Sequence, residues 1–222
     1  PTPMLMYAVD QEGLAMGMMV TASHNPSEYN GIKIIVEGGK DAPVEVTNRL
    51  EEICAKIPPL KAPPLSFFEA IEQGKIIEYS NKNAYIDSLL DQIDVQAVQE
   101  FNFKILFNPM FGVAKDIMAM CLASLRCSVD LINADRDTMF GLRTPSPSRE
   151  SLQDMEYIMK QGKYHIGIAT DGDSDRIGLY DEEGNYIDAN AILKLLYYYL
   201  VAYRGEKGGV VRNITTSHAL DR

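Results

Sequence analysis

Cysteine is scarce: the 222 residues hold only Cys54, Cys121 and Cys127, at spacings that match no zinc or iron–sulfur pattern. Each falls inside an apolar periodic segment, so buried, reduced thiols and a cytoplasmic home are expected. Runs of Lys and Arg are missing as well, and the formal net charge is −10. Binding to a phosphate backbone draws on clustered cations, so nucleic acid is excluded as a partner. No apolar run reaches the roughly 20 residues that a bilayer-spanning helix needs. The longest, Ala189 to Tyr203, is interrupted by Lys194, so no membrane partner is expected. No basic segment precedes an apolar stretch in the manner of a signal peptide. The G-x-S-x-G nucleophile elbow is absent, and no short repeat stands out.

What is present is the composition of a soluble globular protein, 46% hydrophobic and 23% charged. The length suits one large domain or parts of two. "MGMMVTA" and "GIKIIVEGG" read as apolar strands, with Asn30-Gly31 a turn signal between them. Val46, Leu50, Ile53, Cys54 and Ile57 recur at helical spacing, after Asp41 as N-cap and Pro43 in the first turn. "IPPLKAPPL" is then expected to be a connector, because its prolines cannot continue a helix. "NKNAYIDSLLDQI" predicts another helix, with Ile86, Leu89, Leu90 and Ile93 on one face.

An alternating rhythm follows. "FKILFN", "SVDLIN" and "YHIGIAT" predict strands, separated by helices over "GVAKDIMAMCLASL" and "RESLQDMEYIMKQG". Such alternation implies an α/β fold with parallel strands covered by helices, and ligands gathered beyond the strands' carboxyl ends. A short hairpin over "IGLYDEEGNYID", a helix from about Ala189 and a strand over "GGVVRNITTS" complete the expected elements.

"DGDSDR", directly after one of these strand ends, sets Asp171, Asp173 and Asp175 at alternate positions. Three carboxylates so close repel one another unless a cation holds them. A solvated acidic loop is the bland reading. An EF-hand matches at positions 1, 3, 5 and, through Glu182, 12, but Arg176 stands where that loop needs glycine and a β-type run precedes it. A catalytic Mg²⁺ site with a position open to a phosphate oxygen accounts for the spacing best. Gly172 is expected to give the tight backbone that lets the side chains converge, and Arg176 to face an anionic substrate.

The other distinctive stretch is "VTASHNPSEYNGIKI", Val20 to Ile34. A Ser-His pair at a strand end describes a hydrogen-bonded turn as readily as a site. Set beside a carboxylate-bound Mg²⁺, however, Ser23 carrying a phosphate would supply the dianion that the metal needs. His24, Asn25 and nearby backbone amides could donate to it, and Lys33 lies ten residues on.

"TASHNPSEYNGIKI" together with "DGDSDR" resembles the α-D-phosphohexomutase superfamily of phosphoglucomutases, phosphomannomutases and phosphoglucosamine mutases. "PTPML", "FNPMFGVA" and "TPSPS" look like further landmarks. The resemblance implies four domains in the complete enzyme, the first three on a shared mixed α/β plan. Residues 1–80 would be the latter part of domain 1, 81–186 domain 2 and 187–222 the opening of domain 3. The family's early arginine would precede Pro1, and its sugar-reading loop and distal-phosphate domain would follow Arg222. It implies that Ser23 is the phosphoserine, that Asp171, Asp173 and Asp175 ligate Mg²⁺ with the Ser23 phosphate, and that Lys33 is the general acid/base. His24 matches the histidine beside the phosphoserine and Arg176 the arginine after the metal loop, while Ser174 stands where glycine or alanine is common. The implied substrates are hexose phosphate and hexose 1,6-bisphosphate; "SEYNGIKI" leans towards the glucose/mannose branch.

Overall fold

The computed structural model describes residues 1–59 and 65–221, and its backbone contacts divide the chain into two units. The proline-rich connector expected over residues 57–65 falls largely at residues 60–64, outside the described residues.

The first unit comprises Thr2–Thr21 and Gly31–Gln92. It holds helix α1 (Thr2–Gln11), strands β1 (Met16–Thr21), β2 (Gly31–Val36) and β3 (Lys40–Asp41), and helices α2 (Val44–Cys54), α3 (Phe67–Glu72) and α4 (Lys82–Leu90). The strands form an antiparallel sheet in the order β1-β2-β3, with Met19 opposite Lys33. Side chains alternate across a strand, so Ile35 is buried while Ile32, an odd number of positions away and on the other face, is 62% exposed. Val9 of α1 is fully buried. Tyr7 donates to the Ala84 carbonyl at 3.2 Å, tying α1 to α4. Sequence expectations are corrected here at Asp41, Ile93 and Cys54. Asp41 is not the N-cap of α2 but the end of β3; Pro43 occupies the cap. Helix α4 stops at Leu90, which leaves Ile93 outside it. Cys54 is exposed rather than buried, because α2 buries none of its residues.

The second unit comprises Pro1, Ala22–Asn30 and Ile93–Arg222. Helix α5 (Val95–Phe101), absent from the sequence expectations, is capped by Asp94, which accepts from the Ala97 N–H at 3.0 Å, and ends at Asn102 in the left-handed region. Strand β4 (Lys104–Asn108), α6 (Lys115–Ser124), β5 (Ser128–Leu131), α7 (Gln153–Met159), β6 (Ile166–Thr170), β7 (Ile177–Tyr180), β8 (Tyr186–Ile187) and α8 (Ala189–Tyr198) follow. The sheet order is β5-β4-β6-β7-β8, parallel among β5, β4 and β6 and antiparallel from β6 through β8. The unbroken apolar runs of β4 and β6 suit central strands buried on both faces. Leu106, Met110, Leu152, Met155, Met159, Ala169 and Tyr180 pack as one core.

The mixed α/β class stands. Helix α7 is shorter than its apolar pattern suggested. "GGVVRNITTS" forms no strand: Asn213 Oδ1 accepts from the Thr215 N–H and hydroxyl, folding the chain locally, and Val211 and Ile214 are exposed. Among the described residues no helix is long and apolar enough to cross a membrane.

Candidate active site and metal centre

Strands β4 and β6 are parallel neighbours, so their carboxyl ends lie side by side, and the segment after β6 is the acidic loop. Asp171 is fully buried, Asp173 nearly so, and Asp175 exposed. One carboxylate oxygen from each lies within 4.8 Å of the other two. Asp171 Oδ1 accepts the backbone N–H groups of Asp175 and Arg176, both at 3.0 Å, which curls the loop around its own first residue. Asp171 Oδ2 accepts no hydrogen bond and faces Arg176 Nε at 4.0 Å. Burial, reinforced by the neighbouring carboxylates of Asp173 and Asp175 and opposed by the two N–H groups, pushes the Asp171 carboxyl up to about 7.

A buried carboxylate raised by burial and like charge, with an oxygen lacking a donor and two more carboxylates within reach, is a donor set suited to a hard divalent cation. Mg²⁺ fits it. The loop is no EF-hand, since strand β6 rather than a helix leads into it and Arg176 stands where that loop needs glycine. Gly172, expected to give the loop its tight backbone, has no positive φ. Ser174 carries the positive φ, 67°, and Gly172 is needed for space instead.

The serine loop belongs to the same unit as the acidic loop. Ser23 sits at φ 54°, a conformation that non-glycine residues adopt at a cost, and is half-buried. Its Oγ lies 3.2 Å from His24 Nδ1. The turn is closed by the Asn25 N–H donating to the Ala22 carbonyl at 3.0 Å. The Ser23 backbone approaches Gly172 so closely that a Cβ on Gly172 would stand 2.8 Å from the Ser23 carbonyl oxygen. Ser23, His24, Asp171, Asp173, Asp175 and Arg176 thus share one unit. Asn25 is exposed, and Arg176 is half exposed. Lys33 is half-buried on β2 of the other unit, opposite Met19.

Residues 1–61 match the phosphoglucomutase/phosphomannomutase alpha/beta/alpha domain I, and residues 83–184 match domain II of the same family. The chain belongs to the phosphoglucomutase/phosphomannomutase family. A phosphoglucosamine/phosphogalactosamine mutase from Sulfurisphaera tokodaii is 31% identical over 195 residues, 83% of this chain and 40% of its own length. A phosphoglucomutase/phosphomannomutase from Thermococcus kodakarensis is 30% identical over all of this chain and 47% of its own. A phosphopentomutase from the same organism is 31% identical, with 46% of its length covered. The chain therefore spans about half the length of such relatives. Among solved structures, a Thermus thermophilus protein assigned as a phosphomannomutase superposes with a TM-score of 0.86 at 26% identity, covering 100% of this chain and 48% of that one.

The sequence reading passed over the structural part played by the turn after β4. Met110 and Phe111 are consecutive residues with positive φ, 50° and 60°. Asn108-Pro109 and Gly112 were the available signal.

Proposed function

We propose that this chain carries the phosphoserine and metal loops of a phosphohexomutase interconverting hexose 1-phosphate and hexose 6-phosphate, with glucose, mannose or both as the hexose. The observation that carries this reading is the carboxylate trio, two of its members buried, lying in one unit with Ser23, whose carbonyl abuts the acidic loop. Phosphoryl transfer needs neutralised charge and in-line placement more than it needs covalent novelty. Asp171, Asp173 and Asp175 would hold Mg²⁺, with a Ser23 phosphate oxygen completing the set. The ion, when bound, supplies charge neutralisation at the transferring phosphoryl group.

In the forward half-reaction the bond from phosphorus to Ser23 Oγ breaks as one forms to the free hydroxyl of the hexose phosphate. The Lys33 amine takes the hydroxyl's proton, and the departing Ser23 oxygen takes up a proton from water. The resulting hexose 1,6-bisphosphate then gives its other phosphate back to Ser23 by the same exchange reversed. His24 steadies the Ser23 oxygen and Arg176 the anionic substrate. In this reading residues 1–80 close the first domain, 81–186 form the second and 187–222 open the third. The 222 residues alone are expected to turn over negligible substrate, since the sugar and distal-phosphate contacts belong to the rest of the enzyme.

The test is isomerisation of glucose 1-phosphate, mannose 1-phosphate, glucosamine 1-phosphate and a pentose 1-phosphate by the longer polypeptide, with and without Mg²⁺. Ser23→Ala and Lys33→Ala are expected to abolish turnover; full turnover by either refutes that residue's role. A second reading is a metal-dependent phosphatase working through an aspartyl phosphate, with one of the three carboxylates whose oxygens lie within 4.8 Å of one another as the nucleophile. Phosphate found on Ser23 and surviving acid excludes it, because acyl phosphates hydrolyse readily.

A further inference from the structure

Three segments of the second unit meet backbone to backbone. They are the serine loop, Ala22–Asn30, the turn after β4 at residues 109–114, and the acidic loop at residues 171–176. Gly172 lies in the middle. On one side its missing Cβ would stand 2.8 Å from the Ser23 carbonyl oxygen. On the other side Gly112 presses against it: a Cβ on Gly112 would be 2.6 Å from the Gly172 carbonyl oxygen and 2.8 Å from its Cα. The Val113 N–H donates to that same carbonyl at 3.1 Å, fixing the stack.

The turn that presents Gly112 is itself held rigidly. Gly112 donates to the Pro109 carbonyl at 2.8 Å, and Phe111 to the Asn133 carbonyl at 2.6 Å. The Met110 N–H donates to the side chain of Asn108, which is buried. The Phe111 ring closes against Gly141, whose Cβ would meet it at 2.7 Å. Neither Gly112 nor Gly172 has a positive φ. Alanine could adopt either backbone conformation, so what demands glycine at both positions is space alone.

We propose that Gly112 and Gly172 are positioning residues that set the spacing between Ser23 and the carboxylate trio. A methyl group at either must drive the three segments apart, because every atom that it meets at the closest distance is backbone. The strands behind them need not move. This inference rests on the metal reading of Asp171, Asp173 and Asp175 in one respect: the displaced loop should hold a divalent ion less well, by about 10- to 100-fold, as when the groups supporting metal ligands are removed.

The experiment compares Gly112→Ala and Gly172→Ala with the unaltered 222-residue chain and with Gly208→Ala, where a Cβ meets nothing within 4 Å. Mn²⁺ affinity is titrated by electron paramagnetic resonance, and amide hydrogen exchange is followed by mass spectrometry. Mn²⁺ should bind about 10- to 100-fold more weakly to both site variants and unchanged to Gly208→Ala. Exchange should accelerate in residues 22–30 and 171–176 but not in β4 or β6. Unchanged Mn²⁺ affinity in both variants, alongside binding by the unaltered chain, overturns the proposal. So does loss of protection in β4 and β6, which would make the glycine pair a support of the whole unit. If the unaltered chain binds no Mn²⁺, the metal assignment fails. The exchange comparison then decides the positioning role alone, and unaltered loop exchange refutes it.

Discussion

Replacing Asp171 by Asn should make the metal-free chain more stable, not less. Asn keeps an oxygen for the N–H groups of Asp175 and Arg176, now 3.0 Å from Asp171 Oδ1, and removes a charge buried beside two others. The native carboxyl is raised to about 7 from an ordinary value of 3.8. Between those limits the native chain binds a proton that the unfolded chain has lost. Stability therefore falls as pH rises through that window and is flat above it. At about 1.4 kcal/mol per pH unit, the ceiling on the cost at pH 8 is about 4 kcal/mol. The half-exposed Arg176 loses a charged neighbour in the variant, which offsets roughly 0.2–1 kcal/mol. The net gain, at most about 3–4 kcal/mol, corresponds to at most about 6–16 °C in the melting of this unit. Thermal unfolding in EDTA at about pH 8 and about pH 5 measures it; the gap between variant and parent should shrink at the lower pH. Added Mn²⁺ should raise the melting temperature of the parent and leave that of Asp171→Asn unmoved. A variant less stable than the parent at pH 8 without metal, or an equal gap at both pH values, would refute the reasoning.

Gly167→Ala should cost about 1–3 kcal/mol in urea unfolding, because its Cβ would stand 2.7 Å from Met155 Cε and 3.1 Å from Tyr180 Cβ within the core. Thiol titration should find Cys54 fast, half-buried Cys127 slower and buried Cys121 reactive only on unfolding, since burial raises the last two thiols. Ser66→Ala should cost about 1 kcal/mol and fray α3, because the Ser66 hydroxyl accepts the Glu69 N–H while Glu69 accepts the Ser66 N–H; faster amide exchange over residues 67–72 would register it. Incubation with a hexose 1,6-bisphosphate and Mg²⁺ should add one phosphate to Ser23, seen by peptide mass spectrometry and absent from Ser23→Ala.

Much of the second unit could be read directly. β4 and β6 are short apolar runs that alternate with longer helical patterns, and that length and alternation marked them as strands, while "DGDSDR" carries its chemistry in its spacing. Misread segments were those where local chemistry outweighed pattern. Val210 and Val211 look like strand residues, yet just beyond them the Asn213 side chain accepts from the Thr215 N–H and hydroxyl and folds the chain locally. Cys54 follows a helical apolar period, but α2 finds nothing in the described residues to bury it.

From its residues alone this protein declared its mixed α/β class and an acidic loop of metal-ligand type, because each rests on local spacing that a short window contains. Three things waited for the folded chain. The segment Ala22–Asn30 groups with residues more than sixty positions downstream. The strain of the acidic loop sits at Ser174, and Gly172 is small because the Ser23 carbonyl leaves it no room. A close approach between distant backbones is set by packing, and no window of sequence contains both partners.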